Sequence, residues 1–345
     1  MKDHYYFSAV MPVYNKADYV QRALDSVFRQ SFEDYELIIV DDKSSDESME
    51  AVEQYFDKRG GMGENVQLVR QNHAGVGAAR NNGVAHANGR YLVFLDADDW
   101  WLPDYLGEMY GLTRRWPSGE IFGTNYYVKK NGDECLSQVA IDPEFEEGEV
   151  VYHEVYDRGQ SLMDCMPLTA NSYCISRNAF EEAGGYPTEL TLGEDLYLWL
   201  TVTQQYPLIF LNKALSVYCH DVDPQQRALG KRHTPQGHVA FHLEGLRTAG
   251  NPTLKQFLDR IRVEGLNEYY FSEYRESCQK LVREVDWSRQ SWRDRLIYCS
   301  GLPYALRKML HNRIATGEAR RAKAEKKKAA CQNPLQNTNG CYCPA

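Results

Sequence analysis

Residues 91–99 read YLVFLDADD. Five apolar residues in succession, with no alternation, describe a strand covered on both faces. The run then stops on Asp96, Asp98 and Asp99. Carboxylates this close repel one another unless water or a cation lies between them. A buried strand that delivers charge at its carboxyl end points to an open parallel sheet, whose ligands bind outside the carboxyl ends of the strands.

The flanking sequence agrees. Phe7–Val13 (FSAVMPV), Tyr35–Val40 (YELIIV) and Val66–Arg70 read as three further strands. Behind Asn15, placed as a helix cap, Val20, Ala23, Leu24, Val27 and Phe28 follow helical spacing. The turn residues Asp41–Asp46 (DDKSSD) precede a helix with Met49, Val52 and Phe56 on one face. Gly75–Ala87 reads as a third helix, and Pro103 suits the first turn of a fourth. Strands and helices thus alternate, which predicts an α/β fold with a mostly parallel sheet flanked by helices. Its carboxyl edge would gather Pro12–Asn15, Asp41 with Asp42, Gln71–His73 and Asp96–Asp99.

Residues 118–215 are less regular, with a strand at Ile121–Val128 and an acidic loop at Asp142–Glu149. A loop-rich region after an open sheet is where a second substrate is usually gripped. Gly193–Leu200 (GEDLYLWL) gives a helix with Leu196, Trp199 and Leu200 on its apolar face. Glu194 and Asp195 fall in its first turn. Gly184, Gly185 and Tyr186 upstream read as a flexible, aromatic-bearing loop. A strand-like Leu215–Cys219 ends at His220, and Val239–Val285 has helical periodicity. The expected division is a domain at 1–225 (a nucleotide-binding half, 1–117, and an acceptor-binding half, 118–225), a helical region at 226–315 and a basic, disordered tail at 316–345.

Each cluster has two readings. Asp96, Asp98 and Asp99 suit Mg²⁺ or Mn²⁺ shared with substrate phosphates, or form a solvated helix cap. Asp41 and Asp42 bind a nucleoside or serve turn and cap duty. The glycines of Gly75–Ala79 let a helix end approach a ligand, or pack helix on sheet; Arg80 could contact a base or phosphate. Glu194 and Asp195 complement the helix dipole, or place a general base on a rigid helix end. His220 is structural, or meets a metal or phosphate.

The net charge of −9 over 345 residues argues against general nucleic-acid binding. No apolar run approaches the ~20 residues of a bilayer span, and the N-terminus lacks a signal-peptide core. Nine cysteines without framework spacing read as reduced thiols in a cytoplasmic protein. The basic run Arg320–Lys328 (RRAKAEKKK) is a solvated helix end, or rests on anionic lipid.

As an ordered set, MPVYN, ELIIVDDKSSD, NHAGVGAARNNGVAHANGRYLVFLDADD and FEEAGGYPTELTLGEDLYLWL resemble the inverting family 2 glycosyltransferases of the GT-A fold. The resemblance covers about residues 5–222. It implies transfer of a sugar from a nucleotide-diphosphate donor, UDP-sugars being favoured, to a carbohydrate or lipid-linked carbohydrate acceptor in surface polysaccharide or glycoconjugate assembly. It implies that Pro12, Val13 and Tyr14 line the nucleoside, that Asp42 bonds the base, and that Arg80 lies near base and phosphates. Asp96-Ala97-Asp98-Asp99 would be the D-x-D region that binds ribose and the Mn²⁺ or Mg²⁺ ion, with Asp96 and Asp98 on the nucleotide sugar and Asp98 and Asp99 favoured for the metal, and Asp195 would be the catalytic base. Glu194 and His220 are additional candidates. The chain lacks the Q-x-x-R-W signature of the processive members, which implies single additions. Two other readings stand beside this one. A sugar nucleotidyltransferase wants a Gly-rich basic loop after the first strand, and Pro12–Tyr19 has no glycine. A non-catalytic binding module of the same fold has no need of the full acidic set.

Overall fold

The computed structural model describes residues 4–137, 139–155, 166–223 and 233–314. They fall into two compact units, Met1–Gly265 and Leu266 onward. The tail reading at 316–345, including Arg320–Lys328, lies outside the described residues.

The first unit is built on one sheet. Strands β1 (Tyr5–Val13), β2 (Tyr35–Asp41), β3 (Val66–Arg70) and β4 (Gly89–Phe94) run parallel in the order β3-β2-β1-β4. The helices between them are α1 (Val20–Phe28), α2 (Ser48–Lys58) and α3 (Val76–His86), with α4 (Tyr105–Arg115) after a two-residue strand β5 (Trp100–Trp101). Side chains alternate across the pleat. Ala9, Met11, Leu37, Ile39 and Val93 join one core with α1, α2 and α4. Val10 and Val40 point the other way, onto α3, where a Cβ on Gly83 would stand 2.4 Å from a methyl of Val10. With both faces covered, the central strands are mostly apolar, and the buried polar pair Ser8 and Glu36 is satisfied by a hydrogen bond from the Ser8 hydroxyl to the Glu36 carboxylate at 2.7 Å.

Beyond β4 the sheet continues through β9 (Tyr173–Ser176), β6 (Ile121–Lys130) and β10 (Leu208–Cys219). Strand β9 runs against both neighbours, while β6 and β10 pair parallel. Short antiparallel pairs add β7 (Asp133–Leu136) to β6 and β8 (Glu147–Val150) to β10. The sheet is therefore mixed, parallel in its first half and interrupted by β9 in its second. β9 is only four residues long and carries Cys174 and Ser176, so no strand signal stands out at that point. Helices α5 (Arg177–Glu182) and α6 (Glu194–Val202) follow β9. Trp199 of α6 packs edge-on against Tyr173 of β9, 5.5 Å between ring centres.

Three local expectations need correction. Asn15 does not cap α1, which begins after Tyr19. It sits at φ 53° and accepts a hydrogen bond from the Ser45 amide instead, joining two loops of the sheet edge. Gly184 and Gly185 do adopt left-handed conformations, but the turn they make is held rather than loose. Tyr186 is buried, and Asn81 of α3 bonds both its amide and its carbonyl. The helical stretch expected from Val239 begins only at α7 (Pro252–Tyr269), followed by α8 (Arg275–Glu284). Residues 235–245 are short 3₁₀ turns.

In the second unit, Cys278 and Leu281 of α8 are buried, and Arg307 donates to the Tyr270 hydroxyl at 3.0 Å. Residues 304–314 are helical. Among the described residues no helix is long and apolar enough to cross a membrane. The described cysteines, Cys135, Cys174, Cys219, Cys278 and Cys299, are free thiols.

Candidate active site

Val13 pairs with Asp41 and Asp41 with Arg70, so the carboxyl ends of β1, β2 and β3 lie level. The loops leaving them share one edge with the loop after β4. Asp42 is the hub of the first cluster. Its carboxylate is 3% exposed. Oδ1 accepts from Gln71 Nε2 and the Ala74 amide, both at 2.8 Å. Oδ2 accepts from His73 Nδ1 at 2.8 Å and the Gly75 amide at 3.0 Å. One buried anion thereby shapes the loop that enters α3, and these charge-assisted bonds offset its lost hydration. His73 stacks on Tyr14 with ring centres 4.2 Å apart. Asp41 serves its own turn, accepting from the Ser44 amide at 2.8 Å.

The carboxylates after β4 divide among three environments. Asp96 is 28% exposed and accepts from Arg80 Nη2 at 2.8 Å. Asp98 accepts from Lys16 Nζ at 2.7 Å, while Arg22 donates to the Asp98 carbonyl and lies 4.0 Å over the Trp100 ring. Asp99 turns inward and is 1% exposed. It accepts from the Cys219 amide at 2.7 Å and Asn171 Nδ2 at 2.9 Å, fastening β10 to the end of β4. Burial pushes the Asp99 carboxyl well above the usual carboxylate range, and Asp98 and Asp96 add to the rise.

The end of α6 reaches the same edge. Gly193, at φ 82°, precedes the helix, and a Cβ there would stand 2.5 Å from Val239. The loop ahead of it is pinned from outside: the Thr191 and Leu192 amides donate to the Gly237 carbonyl, and the Val239 amide donates to Leu192. Glu194 accepts from Arg80 Nη1 at 2.9 Å. Asp195 Oδ1 accepts from the amide of Leu196, and Oδ2 has no hydrogen-bond partner among the described residues. The Asp195 carboxyl is pushed up to about 7 by burial and by the charge of Glu194, with Arg80 opposing.

The structure thus brings Asp96, Arg80, Glu194 and Asp195 into one chain of contacts and keeps Tyr14 and Asp42 together at the far end of the edge. Pro12 and Val13 are the last residues of β1, and Val13 is buried. His220 follows β10, where its ring meets Tyr218 edge-on. No group of three or more His, Cys, Asp or Glu side chains is arranged around a metal position among the described residues. At Asp98 the Lys16 ammonium sits on one carboxylate oxygen, and the other has no hydrogen-bond partner among the described residues. Asp99 offers less, since both of its oxygens are engaged. Sequence reasoning missed Lys16 and the 235–239 segment, and placed His73 only as part of the polar edge loop Gln71–His73. The polar loop signal covers His73, but Lys16 and Gly237–Val239 act through partners more than 40 residues away in sequence.

Residues 8–163 match the family model described as glycosyl transferase family 2. Glycosyltransferase GlyA of Streptococcus pneumoniae is 23% identical over 313 residues, covering 86% of this chain and 44% of that protein. WfgD of Escherichia coli, a UDP-Glc:alpha-D-GlcNAc-diphosphoundecaprenol beta-1,3-glucosyltransferase, is 25% identical over 211 residues, 61% of this chain and 74% of that one. Residues 1–349 of TarS from S. aureus, solved in complex with UDP-GlcNAc, superpose with a TM-score of 0.63 at 18% identity, covering 81% of each chain. The chain spans less than half the length of the first curated relatives it matches. The mixed sheet with its flanking helices is the GT-A arrangement.

Proposed function

The chain belongs to glycosyl transferase family 2 through residues 8–163, and from that premise we propose that it is an inverting enzyme that moves a sugar from a UDP-sugar to an acceptor hydroxyl. The observation that carries this reading is the division of labour at the start of α6. Glu194 is tied to Arg80, whereas Asp195 keeps one oxygen open and holds its proton until about neutral pH. A general base poised near the working pH is what proton abstraction from a hydroxyl requires.

Asp195 takes the proton of the acceptor hydroxyl as that oxygen bonds to the anomeric carbon. The bond from that carbon to the diphosphate breaks on the opposite face, and configuration inverts. The products are the glycoside, the nucleoside diphosphate and a protonated Asp195. Asp96, with one oxygen on Arg80 and the other without a hydrogen-bond partner among the described residues, suits ribose hydroxyls. Tyr14, on the edge that Asp42 organises, suits the base. Pro12 and Val13 end the strand beneath that edge. Asp98 is our choice of ligand for Mn²⁺ or Mg²⁺, with Asp99 behind it as an anchor. Such an ion, when bound, neutralises charge on the diphosphate.

The uridine preference rests on UDP-Glc as the donor of WfgD and on the UDP-GlcNAc bound to TarS, and a lipid-linked saccharide is the acceptor class we favour from WfgD. We assign the transferase to 1–225, with 118–225 on the acceptor side and 235–239 strapped to it. Incubation with UDP-, GDP- and TDP-sugars and Mn²⁺, watching for slow hydrolysis, tests the reading. Release of UDP alone is expected. Nucleotide binding with no hydrolysis of any donor would favour a binding module instead.

A further inference from the structure

We propose that Arg80 is a positioning residue: by holding Asp96 and Glu194 at once, it keeps Glu194 out of the chemistry and joins the donor side of the crevice to the helix end that carries Asp195. This rests on the transferase reading given above.

Arg80 stands in the second turn of α3. Its side chain is 3% exposed. Nη2 donates to Asp96 at 2.8 Å and Nη1 to Glu194 at 2.9 Å. The Tyr186 ring lies 5.0 Å from the guanidinium. Nε is buried and has no hydrogen-bond partner among the described residues. A guanidinium stripped of water is costly unless its charge is paired. Here the pairing comes from two elements far apart in sequence, the end of β4 and the start of α6. Each terminal nitrogen gives one N–H to a carboxylate, and burial of the side chain leaves the group poorly placed to meet a phosphate or a base directly.

The neighbouring residue reinforces the link. Asn81 bonds the amide and the carbonyl of Tyr186 at 2.9 and 2.8 Å. Gly77, one turn earlier, lets α3 close on Tyr186, Pro187 and Glu194; a Cβ there would already be 3.4 Å from the first two. Arg80 and Asn81 thus fasten both ends of the 186–194 segment to one rigid helix. Without that hold, Glu194 and Asp195 would be two adjacent acids competing for one role.

The groups that face Asp195 are Glu194, Arg80 and Asp96, with the hydroxyls of Tyr186 and Tyr173 behind them. Glu194→Gln keeps an oxygen for Arg80 and removes one negative charge beside Asp195. Deprotonation of Asp195 becomes easier. The rising limb of kcat/KM for donor hydrolysis is therefore expected to move down by about one pH unit. UDP affinity measured by calorimetry should stay within about twofold, an effect well under ~1.4 kcal/mol per tenfold. Arg80→Gln removes the opposing charge and should move the limb the other way; it also serves if Glu194→Gln fails to fold. A limb that stays in place in a folded variant that binds UDP normally would overturn the positioning role. A wild-type protein that binds UDP yet shows no limb near neutrality would overturn it too, by removing Asp195 as the base. Failure of the wild-type protein to bind any nucleotide would instead sink the donor reading on which it stands.

Discussion

Asp195, Asp98 and Asp99 have the same side chain, and their surroundings give them different tasks. Asp195→Asn removes the proton acceptor and is expected to cut turnover by about 10²–10⁴-fold, with UDP affinity by calorimetry nearly unchanged. Because Asp195 must be ionised to act and its carboxyl is pushed up to about 7, activity in the wild-type protein should climb as pH rises through neutrality. A pH–rate profile that is flat between about pH 6 and 8 would contradict this. Asp98→Ala should instead weaken Mn²⁺-dependent UDP binding and leave binding without metal less affected, again by calorimetry. At this scale the acids themselves are plain in the sequence. Their orientations are not, because a hydrogen bond from the Cys219 amide or an ammonium from Lys16 depends on chain that folds in from elsewhere.

At the scale of elements, α3 does most of the joining. It lies so close to the sheet that Gly83 has no room for a methyl group beside Val10. Alanine would gain up to ~1 kcal/mol in helix propensity. Overpacking a tight contact costs ~1–3 kcal/mol. The clash, at 2.4 Å, should win, and Gly83→Ala is expected to lower the urea midpoint of unfolding. An unchanged or higher midpoint would mean that helix and sheet have more play than the contact implies. β1, β2 and β4 were legible because strands covered on both faces are mostly apolar along their length. β5, β7, β8 and β9 were not, since strands of two to four residues carry no periodicity.

For the molecule as a whole, the first unit carries the crevice, and residues beyond it are open to a different task. If the basic run Arg320–Lys328 meets anionic lipid, the full chain should sediment with phosphatidylserine vesicles and a chain ending at Ala315 should not, an electrostatic effect that falls away in salt. Equal sedimentation of the two would assign that run to solvent. The sequence alone determined the alternation of strands and helices, the sheet edge at which charge collects, and the family to which those motifs point. These depend on local spacing and on which residues water excludes. Only the tertiary structure decided that β9 runs against its neighbours, that Asp99 faces inward, and that Arg80 spans Asp96 and Glu194. Each of those needs residues distant along the chain to meet, and such meetings are set by packing rather than by any pattern of neighbours.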